Sequence, residues 1–128
     1  MIGYITIGTN DLVRAGDYYD KLLSLLGASR IMVMEDFIVW SNGDPQSPNF
    51  SIHIPENGKS ASIGNGSMIA LTAKSPQHVA QVHAKALALG SEDCGQPGPR
   101  HGDSGFYAAY FRDLDGNKLN IHYMPKAE

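Results

Sequence analysis

The chain reads the same way twice, and that repeat limits its fold more than any single motif. Tyr4-Ile5-Thr6-Ile7-Gly8 alternates like a strand, with Ile5 and Ile7 on one face. Thr9-Asn10-Asp11 offers helix-capping side chains. Leu12, Ala15, Tyr19, Leu22, Leu23 and Leu26 then recur at helical spacing, and Gly27 closes the helix. The pattern restarts at Ser67 to Ala73, where Ile69 and Leu71 share one face. Ser75-Pro76 is a cap followed by proline at the first helical position. Val79, Val82, Ala86 and Leu89 form the next helical stripe, and Gly90 ends it. Short strand-like runs follow each helix. Arg30 to Glu35, Phe37 to Ser41 and Phe50 to Ile54 follow the first; Phe106 to Arg112 and Lys118 to Met124 are the clearest after the second. Asn42-Gly43-Asp44-Pro45 and Asp115-Gly116 mark turns between strands.

A β-α-β-β-β unit of about 60 residues cannot bury both faces of its sheet alone. The repeat therefore predicts an α+β fold. Two tandem β-α-β-β-β modules form a curved eight-stranded mixed sheet around a cleft, with helices outside. The cleft is the default ligand site. All of residues 1–128 read as a single domain. The first module spans about 1–56, a polar linker about 56–66, and the second module about 67–128.

Composition narrows the partners. With 42% hydrophobic and 18% charged residues, the chain is globular, not disordered. The net charge of −3 and the scatter of Lys and Arg argue against nucleic acid. No apolar run is long enough to span a membrane, and Met1 to Asn10 lacks the pattern of a secretory signal. One cysteine, Cys94, leaves no intrachain disulfide or multi-cysteine metal site. The expected compartment is the cytoplasm.

Four stretches carry a family resemblance. They are Gly3-Tyr4-Ile5-Thr6-Ile7 leading into Asn10-Asp11-Leu12; Tyr18-Tyr19-Asp20 through Leu25-Leu26-Gly27; Met68-Ile69-Ala70-Leu71; and Tyr110-Phe111-Arg112-Asp113-Leu114-Asp115-Gly116-Asn117-Lys118-Leu119. On these the sequence resembles the vicinal oxygen chelate superfamily of glyoxalases, ring-cleaving dioxygenases, bleomycin-resistance and fosfomycin-resistance proteins. Leu114 replaces the proline usual in the last stretch. The resemblance implies the two-module fold, a small-molecule ligand and a homodimer. It also implies four inward-facing positions for divalent-metal ligands, usually histidine or a glutamate. These fall on Tyr4, near His53, on Met68 and on Asn120. Of these only His53 is a good ligand type for such an ion. The usual metal centre is therefore expected to be absent, and no cofactor is expected.

A different constellation remains open. Lys118, Asn120 and His122 share one face of the last strand. His53 and His122, with His101 or Asp103 in the proline- and glycine-rich loop, are candidates for a relocated metal or an acid–base pair. His53 and His122 are the candidate catalytic residues. Tyr4, Trp40, Met68, Arg100, His101 and Asn120 are the candidate ligand contacts. Arg100, in the Gly95-to-Gly105 loop, has the planar fork that grips a carboxylate or phosphate. Trp40 and Tyr4 can stack on a planar ligand. The inward or outward parity of Arg112 stays open. His78 and His83, on different faces of the second helix, read as surface residues. Gly102-Asp103-Ser104-Gly105 is too short a match to indicate a serine protease, and Asp113-to-Asn117 is a hairpin turn, not a calcium loop.

Three readings follow. The chain is a lyase or isomerase acting on a small oxygenated metabolite, a metal-free binding or drug-sequestering protein, or an interaction module with a degenerate cleft.

Overall fold

The computed structural model describes residues 1–126. The chain divides into two compact units, Met1–Ile63 and Gly64–Glu128. Each is a β-α-β-β-β module. In the first, β1 (Tyr4–Gly8) leads to α1 (Leu12–Ser24), then β2 (Ser29–Val33), β3 (Phe37–Ser41) and β4 (Asn49–His53). In the second, β5 (Ile69–Thr72) leads to α2 (Pro76–Ala88), then β6 (Glu92–Pro99), β7 (Tyr107–Arg112) and β8 (Lys118–Tyr123). The eight strands fall into two four-stranded sheets of matching order, β1-β4-β3-β2 and β5-β8-β7-β6. Each first strand lies parallel to its last strand, and the other pairs are antiparallel.

The helices begin and end where the caps dictate. The Arg14 N–H donates to the Asp11 carboxylate at 3.1 Å, and the His78 N–H donates to the Ser75 hydroxyl at 3.1 Å. Gly27 and Gly90 take φ of 75° and 106°, conformations glycine adopts without a side-chain clash. Beyond them, the N–H groups of Ala28 and Ser91 close back on Leu23 and Ala86, both at 3.0 Å. No helix among the described residues is long and apolar enough to cross a membrane.

Each helix covers one face of its own sheet. Under α1, Tyr18, Tyr19, Leu22 and Leu23 are buried with Ile38, Trp40, Phe50 and Ile52. Tyr19 lies 4.7 Å from Phe50 and 5.9 Å from Trp40, ring centre to ring centre. Under α2, Val79, Val82 and Ala86 are buried with Ala109, Phe111, Leu119 and Ile121. A fully buried Val, Leu, Ile or Phe side chain contributes about 1.5–3 kcal/mol, so these stripes hold helix to sheet.

Two details differ from the sequence reading. The Gly95-to-Gly105 stretch is not all loop, because β6 continues to Pro99. This is an edge strand with irregular register at Gly95 and Gly98. Prolines are tolerated there because an edge leaves some N–H positions unpaired. His83 is not a surface residue. It is 4% exposed, its Nε2 lies 3.1 Å from Asp93 Oδ1, and its ring meets Phe111 edge-on. It follows Val79 by four residues and so shares the buried stripe.

Part of the polar connection is tied to the first unit. The Ala61 N–H donates to Asn10 Oδ1 at 2.6 Å, and Asn10 Nδ2 donates back to the Ala61 carbonyl at 3.3 Å. Ala61 also sits where a side chain on Gly8 would reach, 3.0 Å from an ideal Cβ.

Candidate functional site

Strand parity builds the site on the face of the second sheet that α2 leaves uncovered. Leu119 and Ile121 point under α2, so Lys118, Asn120 and His122 stand on the opposite face. In register, Lys118 pairs with Arg112, Asn120 with Tyr110, and His122 with Ala108. Directly paired residues share a face, which settles the parity of Arg112. On the other flank of β8, Ala70 pairs with Asn120 and Thr72 with His122.

His122 is held from two sides there. Its Nδ1 donates to Asn120 Oδ1 at 3.1 Å. An amide oxygen only accepts, so Nδ1 carries the proton and Nε2 keeps its lone pair. The ring stacks on Phe106 at 5.4 Å with a 20° interplanar angle. Burial holds the imidazole below the ordinary histidine range, which favours the neutral form near pH 7. Asn120 is 3% exposed, so its carboxamide is fixed.

The loop after β6 supplies Phe106. The Arg100 N–H donates to the Phe106 carbonyl at 2.9 Å and closes the loop at its base. Ser104 Oγ donates to the Arg100 carbonyl and accepts from the Phe106 N–H. His101, at φ 60°, stays exposed and lies 5.3 Å from the Phe106 ring. The loop is a tied turn carrying an aromatic side chain onto His122.

Arg100 folds back across its own strand. Its guanidinium donates to the Pro99 carbonyl at 3.1 Å and the Gln96 carbonyl at 2.7 Å. It also lies over the Tyr110 ring, 5.7 Å from the centroid. Glycine makes the space: a Cβ on Gly98 would come within 2.9 Å of the guanidinium, and one on Gly95 within 3.0 Å of Tyr110. Lys118 Nζ lies 5.6 Å from the same ring. Arg112 donates to the Gly116 carbonyl at 2.8 Å, holding the hairpin turn.

The first unit carries a related but sparser face. His53 and His122 occupy equivalent register positions, opposite Gly8 and Thr72 respectively. Their carbonyls accept in the same way, from the Thr9 N–H at 3.1 Å and the Ala73 N–H at 2.7 Å. His53 stacks on Phe37 at 5.4 Å; its Nδ1 lies against the Ile54 carbonyl and its Nε2 is 3.7 Å from Asp36 Oδ2. Tyr4, 71% exposed, shares this face.

Trp40 does not, and this corrects the sequence reading. It points under α1, 1% exposed, with its indole N–H donating to Asp20 Oδ1 at 2.9 Å. Its place in the apolar run of β3 serves the core. Met68 is half-exposed and immediately precedes β5.

The donor chemistry does not fit the metal that the family resemblance implies. Register equivalence puts Ser51, not His53, in the position matching Asn120, and the Ser51 hydroxyl donates to the Ile5 carbonyl at 2.7 Å. The four positions then offer a phenol, a hydroxyl, a thioether and a carboxamide. None is a strong ligand for a borderline divalent ion, which prefers imidazole, carboxylate or thiolate. Among the described residues, no three His, Cys, Asp or Glu side chains form a group that could hold a metal ion.

The sequence missed Tyr110, Phe106 and Lys118 as site residues. For Lys118 the signal was present, since it shares its two-residue period with Asn120 and His122.

No protein-family model and no curated protein matches the chain. Solved structures do. A glyoxalase/bleomycin resistance protein from Albidiferax ferrireducens T118 is 33% identical, covering 98% of this chain and 99% of that one, with a TM-score of 0.88. A glyoxalase/bleomycin resistance protein/dioxygenase family enzyme from Burkholderia phytofirmans PsJN is 16% identical, with 96% and 98% covered and a TM-score of 0.75. A fosfomycin resistance protein from Listeria monocytogenes is 18% identical, with 98% and 93% covered and a TM-score of 0.74. The last two are similar in fold.

Proposed function

The chain belongs to the glyoxalase/bleomycin resistance protein family, and we propose that within it this protein binds a small oxygenated molecule without the family's usual divalent ion. The ligand lies on the face carrying Asn120, Tyr110 and His122. One observation carries this reading. The His122 imidazole is held in a fixed tautomer by Asn120 and stacked by Phe106, so Nε2 is a preorganised acceptor. A ligand hydroxyl or N–H meets that lone pair without reorganisation of the protein.

Thermal-shift screening of small hydroxy, keto and carboxylic acids tests it, using protein dialysed against EDTA. The expected result is stabilisation by some members of the panel, equal with and without added zinc, nickel or manganese, and lost in His122→Ala. Stabilisation that requires added metal overturns the reading.

A second reading rests on the same imidazole. A neutral histidine with a free Nε2 is suited to act as a general base, which supports lyase or isomerase chemistry by proton transfer. Solvent-deuterium exchange into a bound ligand, abolished in His122→Gln, distinguishes catalysis from sequestration.

Self-association is part of the proposal. Ile31, Met32, Val33 and Met34 are each about half exposed along and just beyond the edge strand β2, an apolar strip suited to a second copy of the chain. Light scattering after size exclusion reads it directly. A cytoplasmic location is proposed on the single exposed thiol of Cys94, which suits a reducing compartment.

A further inference from the structure

Three cationic side chains stand on or fold over the face of the second sheet turned away from α2. Lys118 and Arg112 are register partners on it, and Arg100 folds over Tyr110 from the neighbouring loop. The whole chain carries 13 acidic against 10 basic residues, so such a concentration is unusual for it. Among the described residues, none of these three cations forms an ion pair with a carboxylate. Glu92 is the register partner of Arg112 at the sheet edge but does not close to ion-pair distance.

Their placement is directed. Lys118 Nζ and the Arg100 guanidinium lie 5.6 Å and 5.7 Å from the centre of the same ring, Tyr110. Tyr110 is the register partner of Asn120. The ammonium is thus drawn along its strand from its own position toward the Asn120 row. That row lies one two-residue step, roughly 7 Å, from His122. The guanidinium is fixed by the Pro99 and Gln96 carbonyls, so its remaining N–H donors are offered without further ordering of the side chain.

Resting on the small-molecule reading above, we infer that the ligand of this face is an anion, its carboxylate or phosphate held by Lys118 and Arg100 beside Tyr110 and its hydroxyl or N–H end meeting His122. The roughly 7 Å step sets the span between the two ends at that of a short-chain hydroxy acid or a small phosphate ester. Negative charge is what the face lacks, and a cation already seated against an aromatic ring meets an anion with little loss of side-chain entropy.

The test is an amide-resonance titration of isotopically labelled full-length protein. The probes are inorganic phosphate, 4-hydroxybenzoate and the neutral isostere 4-hydroxybenzamide. The inference predicts that an anionic probe shifts the Tyr110, Lys118 and Asn120 amides. Its affinity falls as ionic strength rises, drops about tenfold or more in Lys118→Gln, and recovers in Lys118→Arg. Whether phosphate or 4-hydroxybenzoate binds more tightly identifies the headgroup. If the benzamide binds at these residues as well as the benzoate and Lys118→Gln changes neither, the anion inference is wrong while the small-molecule reading stands. If no probe shifts these amides at millimolar concentration, both are overturned.

Discussion

Replacing Asp20 with alanine should loosen the first unit through one orphaned donor. Asp20 on α1 accepts two bonds from Arg30, each at 2.8 Å, and one from the Trp40 indole at 2.9 Å. The two interactions differ in worth. The Arg30–Asp20 ion pair has side chains 31% and 40% exposed, so solvent screens it to about 0.2–1 kcal/mol. The Trp40 indole is 1% exposed, and leaving its N–H without a partner costs about 1–3 kcal/mol. Together they predict a loss of about 2 kcal/mol in Asp20→Ala. Asp20→Asn keeps an acceptor for the indole and should lose about half as much. The chain has a single tryptophan, so its fluorescence reports on this unit alone. Urea titration followed at Trp40 should show the midpoint falling by on the order of 1–2 M at unchanged slope. A loss below about 0.5 kcal/mol in Asp20→Ala would refute the argument that the indole depends on this carboxylate. The pH dependence adds a check. Burial pushes the Asp20 carboxyl upward, but the bonds from Arg30 and Trp40 and the Arg30 charge outweigh it, so its pKa lies below the ordinary 3.8. The contribution of the charged form is therefore complete above 3.8 and fades as pH falls through the folded value. Wild type and Asp20→Asn should converge there.

Two further outcomes follow from the second unit. Burial lowers the His122 pKa below 6.5, so the unfolded chain takes up this proton more readily than the folded one. Stability should be complete above 6.5 and fall as the solution is acidified through the window below it, a dependence reduced in His122→Gln; equal pH profiles would contradict the burial of this ring. Glycine substitutions should separate by mechanism. At Gly98 an added Cβ closely meets the Arg100 guanidinium alone, at 2.9 Å, and the side chain gives way by releasing its bonds to the Pro99 and Gln96 carbonyls, whereas at Gly105, with φ of 83°, it meets Pro125 at 2.7 Å on a strained backbone. Thermal unfolding should show Gly105→Ala costing about 1–2 kcal/mol more than Gly98→Ala, and equal costs would contradict the assignment of strain to Gly105.

The repeat was legible because its signals are local. Asp11, Ser75, Gly27 and Gly90 cap their helices through their own backbone neighbours, and Ile69 and Leu71 alternate without interruption. Legibility failed where both faces of a strand look apolar. Phe37-Ile38-Val39-Trp40 gives no parity, so the run does not reveal that Trp40 fills the core and not the ligand face. Tyr107 to Arg112 has the same ambiguity, since Tyr107, Ala109 and Phe111 alternate with Ala108, Tyr110 and Arg112. Only pairing with Leu119 and Ile121 resolves which set faces α2. Asn120 enters through the family resemblance, and His122 follows from it by the two-residue period of β8. The approach of two cations to the Tyr110 ring is not legible, because Arg100 reaches it by folding back along the bulged strand β6.

Metal analysis by mass spectrometry tests the central claim most directly, on protein purified without a metal-affinity tag and then dialysed against added zinc, nickel, manganese or iron. Phenol, hydroxyl, thioether and carboxamide groups at the four family positions predict less than about a tenth of an equivalent per chain, unchanged by the added ion. About one equivalent per chain, lost on His122→Ala or Asn120→Ala, would contradict the metal-free account.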